Sequence, residues 1–167
     1  LGDMLQYAIQ TKSDRMFNWL SDISSKDNRI KTILVPIISD RPIGEIQSLP
    51  KDLMDLAINS VDQNNIDSYR KYTDFLRCLA VNGSMAQKQY LAKLIVKMLN
   101  DKDDIQKVVS IIKSYKQLTK TYCDLIASTL RCILDDTSDS STIQLCNDAI
   151  EHLSSLNQTS KRKLKSA

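Results

Sequence analysis

The chain has 167 residues, 42% of them hydrophobic, with only 3 Gly and 3 Pro and a formal net charge of +3. That length carries a hydrophobic core without metal or disulfide staples, and so few glycines nearly exclude phosphate-cradling loops. No apolar run approaches the ~18 residues of a membrane-spanning helix, and the opening LGDMLQYAIQ is amphipathic with an early acid, unlike a secretion signal.

The expectation is therefore a soluble all-α protein. A first residue other than Met points to a piece of a longer chain. Residues 3 to 12 read as a first helix, with Met4, Leu5, Ala8 and Ile9 apolar. Ser13 suits the N-cap of a second, DRMFNWLSDI, whose apolar side holds Met16, Phe17, Leu20 and Ile23. Trp19 lies off that stripe. It either packs on a neighbouring helix or stands exposed as an anchor for a partner, a role in which Trp is enriched. In the next stretch, DNRIKTILVPIISDRPIGEIQSLP, Ile30, Ile33, Leu34 and Ile37 keep helical spacing, and Pro36 predicts a kink or stop. A short strand over ILVPII is the alternative, away from a sheet centre because of that proline. Residues 40 to 44 read as a loop, and Pro50 as the first residue of the next helix. Residues 1–49 are thus the less regular part.

From Pro50 the helices come in pairs. PKDLMDLAINSVDQ (Leu53, Met54, Ala57, Ile58, Val61) precedes IDSYRKYTDFLRCLAV (Ile66, Tyr69, Thr73, Leu76, Ala80, widened by Tyr72, Phe75 and Leu79), which Asn82-Gly83 ends. Residues 84 to 115 give a second pair around an acidic turn. Its stripes are Leu91, Leu94, Ile95, Met98 and Leu99, then Ile105, Val108, Val109, Ile112 and Tyr115. The third is KTYCDLIASTLRCILD and STIQLCNDAIEHLSSL, joined by a polar loop. Three hairpins over 50–156, at 50–82, 84–115 and 119–156, are the mark of stacked helical repeats. The layout resembles HEAT or armadillo-like repeats over about two thirds of the chain, at the level of architecture; it lacks the W-x-x-L-G-x-x-Y and T-P-L-H patterns of other repeat families. The resemblance implies an α-solenoid of antiparallel hairpins; a compact multi-helix bundle is the alternative. One helical domain over 1–156 is expected, then a flexible basic tail over 157–167.

Charge is unevenly spread. Residues 85–122 hold eight lysines against three aspartates, and residues 123–160 hold six acids against Arg131. Lys113, Lys116 and Lys120 share a face if one helix runs that far, and Lys93 and Lys97 share another. Interleaved with Tyr115 and Tyr122 they form the candidate partner-binding surface; the ordinary alternative is a solvated lysine face. The tail residues Lys161, Arg162, Lys163 and Lys165 suit a nuclear localisation signal or a phosphate-contacting arm, and the expected setting is nuclear or cytoplasmic. Cys78, Cys123, Cys132 and Cys146 lack metal-ligand spacing and read as buried reduced thiols rather than disulfides. With one histidine, His152, and no nucleophile or nucleotide motif, neither catalysis nor a cofactor, metal site or small-molecule substrate is expected. The functional expectation is a non-catalytic protein–protein interaction scaffold, holding a helix or extended peptide; the alternative is a nucleic-acid-binding module using the lysine ridge and tail.

Overall fold

A computed structural model describes residues 1–39, 41, 45–46, 48–60, 73–101 and 104–165; for residues 28, 31, 32, 34, 35, 39, 56–60 and 157–165 it describes the backbone alone. Among the described residues the chain is all-helical, without a strand. The helices are α1 (Gly2–Thr11), α2 (Asp14–Lys26), α3 (Asn28–Ser39), α4 (Lys51–Ser60), α5 (Thr73–Asn82), α6 (Met85–Asn100), α7 (Ile105–Ser114), α8 (Lys120–Asp136) and α9 (Ser140–Lys165). Where the sequence reading has one domain, the contacts gather into two compact units, Leu1–Cys78 and Leu79–Ala167.

In the first unit α2 packs on α1, α3 and α4, and α3 also packs on α4. The Ser13 hydroxyl accepts the Met16 N–H at 3.3 Å, so the expected N-cap of α2 is present. Just before it Lys12 sits at φ 51°, ψ 41°, its N–H turned back to the carbonyls of Ala8 and Ile9. This left-handed residue ends α1 and lets the chain reverse within two residues. Phe17 and Leu20 of the expected stripe of α2 are buried, with Ser24, while Met16 and Ile23 at its ends are half-buried. Met16 thus sits at the margin of the core. α3 continues through Pro36 to Ser39, which overturns both the strand alternative and a stop at the proline. Pro36 cannot donate to the carbonyl of Thr32, but the turn after it places Ile38 in the core with no exposed area, which offsets the lost bond. Arg41, from the expected loop, donates to the Gly2 carbonyl at 2.6 Å and to Gln6 Oε1 at 3.1 Å, tying that loop to α1. Pro50 precedes α4, and its carbonyl accepts the Met54 N–H, so it is the cap rather than the first helical residue. The stripe residues at 57, 58, 61, 66, 69 and 72, and the rest of the 40–44 loop, lie outside the described side chains.

In the second unit α6 packs on α7 and α8, and α9 packs on α7 and α8. Over the spans of the expected hairpins at 84–115 and 119–156, α6 thus touches α8 and α7 touches α9. Ser84 and Gln87 form a capping box: each backbone N–H is taken by the other's side chain, at 2.9 and 3.2 Å. All five expected apolar residues of α6 are buried, with Gln87, Lys88 and Ala92 besides, as fits a helix with neighbours on two sides. In α8 the buried set is Cys123, Ile126, Ala127, Leu130 and Ile133, and Leu125 is exposed. The backbone of α9 stays helical to Lys165, through most of the segment read as a flexible tail.

Candidate interaction surfaces

The lysine ridge depends on one helix running from Lys113 to Lys120. It does not. α7 stops at Ser114, and α8 starts at Lys120. The break comes from Tyr115, which leaves helical geometry at ψ 130° and turns its ring inward. Tyr115 is 1% exposed; its hydroxyl donates to the Lys88 carbonyl at 2.8 Å, and its own carbonyl lies 2.7 Å from His152 Nε2. A carbonyl oxygen only accepts, so the imidazole carries its proton on Nε2. Burial, with Cys123 nearby, raises the pKa of the phenol. Tyr115 is therefore a core clasp between α6, the α7–α8 connection and α9, not a surface contact. The remaining members survive as a corner: Lys113, Lys116 and Lys120 are exposed around that connection, and Tyr122 is half-buried beside them. Lys93 and Lys97 are exposed on α6. The side chains of Lys161, Arg162, Lys163 and Lys165 lie outside the described residues.

A second surface lies on the first unit. Because Phe17 and Leu20 take the core side of α2, Trp19 and Met16 fall on its flank beside α1, where Met4 and Tyr7 are one turn apart. Met4 and Trp19 are each 43% exposed and Tyr7 is 55% exposed. With Ser13 and Arg15 they line an open groove of about 610 Å³. Three large apolar side chains left in water beside a half-buried Met16 are uncommon, and Trp, Tyr and Arg are the residues most enriched at binding hot spots. Sequence spacing flags Trp19, whose exposed alternative this is; Met4 and Met16 were assigned to the core, but Met4 is exposed and Met16 only half-buried.

Asp139, before α9, accepts from the Thr142 N–H and hydroxyl at 2.9 and 2.7 Å; these bonds lower its pKa. A smaller hollow of about 230 Å³, lined by Ile105, Ile133, Asp136, Thr137 and Thr142, opens beside this cap. The four cysteines are free. Cys78, Cys123 and Cys146 are buried, and burial holds their thiols above the ordinary value, that of Cys123 at about 11; Cys132 is exposed against the expectation of burial. Among the described residues no cluster of His, Cys, Asp and Glu is arranged to hold a metal ion, and no helix is long and apolar enough to cross a membrane.

Comparison with family models, with curated proteins and with solved structures gives no match for this chain.

Proposed function

We propose that this chain is a non-catalytic protein–protein interaction module, a helical scaffold whose partner lies in the α1–α2 groove. The observation that carries this reading is the exposure of Met4, Tyr7 and Trp19, beside the half-buried Met16, along one open groove, an apolar surface of the kind that marks interaction sites. The stacked-hairpin reading is supported in the second unit, where α6 meets α8 and α7 meets α9, as successive hairpins of a HEAT-like solenoid do. The test compares partner capture by the wild-type chain and by Trp19→Ala, with helicity checked by circular dichroism. A hot-spot tryptophan costs at least ~2 kcal/mol on truncation, roughly thirtyfold in affinity. An unchanged partner set removes the groove from the reading.

A second reading, nucleic-acid binding by the second unit, is favoured by one observation. Lys93, Lys97, Lys113, Lys116 and Lys120 are all exposed, whereas Lys107 is taken by Asp104 at 3.1 Å. Binding through that corner falls steeply with salt, with a log–log slope near the number of phosphates neutralised. Affinity for DNA or RNA that does not change between low and physiological salt removes it.

A further inference from the structure

We infer that the α1–α2 groove takes an amphipathic helix of a partner protein bearing a carboxylate opposite Arg15. The inference rests on the interaction reading above and names the chemistry of its occupant. Among the described residues Arg15 is the one charged side chain in the groove lining; Asp14 beside it and Asp3 on α1 are exposed but do not line the groove.

The described arginines of the first unit divide sharply. Arg29 is bound to Asp27, Arg41 to Gly2 and Gln6, and Arg77 to Asp74. Arg15, among the described residues, has no hydrogen bond or ion pair within the fold. A planar guanidinium held one turn from Trp19, at the lip of an apolar groove, presents a fork that matches a carboxylate.

The shape argues for a helix. With no strand among the described residues there is no sheet edge to pair with an extended backbone, so recognition falls to side chains. Met4 and Tyr7 on α1, and Met16 and Trp19 on α2, are each spaced by three, forming two short ridges flanking a groove. An apolar stripe at i, i+3, i+4 and i+7 settles between such ridges. The two methionines adapt to whatever branched side chains arrive, and the tryptophan supplies the rigid wall.

The experiment uses the full chain and two synthetic peptides of about 16 residues, long enough to hold a helix. They share one leucine stripe, with three flanking residues as Glu in one and Lys in the other. Trp19 is the single tryptophan of the chain, so its emission reports the groove directly. The Glu peptide should shift that emission and bind about tenfold more tightly than the Lys peptide at physiological salt. Arg15→Gln should close most of that gap, and Arg15→Glu should reverse the preference while leaving the circular dichroism spectrum unchanged. Equal affinity for both peptides overturns the carboxylate assignment and leaves the interaction reading standing. No emission change with either peptide overturns both. A Trp19 signal that follows protein concentration without peptide, together with a dimeric mass, makes a second copy the occupant and overturns the inference.

Discussion

Tyr115 fills a buried position with a polar handle at both ends. Phenylalanine would keep the packing and lose only the bond to the Lys88 carbonyl, so Tyr115→Phe should lower unfolding stability by about 1 kcal/mol in urea titration. The phenol also makes stability depend on alkaline pH. Its folded pKa is raised above 10.0 by burial, so its contribution is intact below that value. It declines as pH climbs above 10, because the unfolded chain then loses the proton that the folded chain keeps. Tyr115→Phe should flatten that decline, which thermal melts between pH 8 and 11 would show. Gly83 is constrained differently. A Cβ there would lie 2.5 Å from the Leu79 carbonyl oxygen, and the Gln87 side chain of the capping box stands 3.1 Å away. Gly83→Ala should therefore cost about 1–3 kcal/mol, and a variant as stable as wild type would show that the junction between α5 and α6 relaxes freely.

Elements were legible where period and punctuation agreed. α6 and α7 fall within about a residue of the expected 84–115 hairpin, because Ser84, the 101–104 turn and Tyr115 bound two clean stripes. α3 was misread because a local rule about proline lost to the burial of Ile38, a tertiary gain that no single-residue rule contains. The α1–α2 turn leaves a local rule unmet: Lys12 adopts a left-handed conformation that costs an L-residue about 1–2 kcal/mol. Lys12→Gly should raise stability by up to about 1 kcal/mol, measured by thermal or urea unfolding. A loss would mean that the lysine stem contributes packing that its exposure hides.

At the scale of the whole molecule, the chain gathers into two compact units, and the boundary at 78/79 falls inside α5. A chain cut at the start of that helix, residues 73–167, should retain helical circular dichroism and unfold in one cooperative step. A fragment that is unfolded, or that melts without a sigmoid, would show that the second unit needs the first. The all-helical class was readable from sparse Gly and Pro and from apolar period. The groove was not, for a physical reason. Met4 and Met16 lie at the margins of their stripes, and a helix rotation of tens of degrees decides between core and solvent. Trp19 was singled out because it lay clear of any stripe, and the shared face of Lys113, Lys116 and Lys120 was conditional on one continuous helix, which ends at Ser114 before Tyr115.

The Tyr115 clasp also bears on the order in which the second unit assembles. Its two bonds join residues 27 and 37 positions apart, while the capping box of α6 and the cap of α9 each span three. Loop-closure entropy delays such distant pairings until the helices they join are in place. The clasp then belongs to the downhill side of the folding barrier. Tyr115→Phe should therefore speed unfolding and leave refolding almost unchanged, which stopped-flow unfolding and refolding rates would check. Tyr115 would then govern how long the unit stays folded more than how fast it gets there.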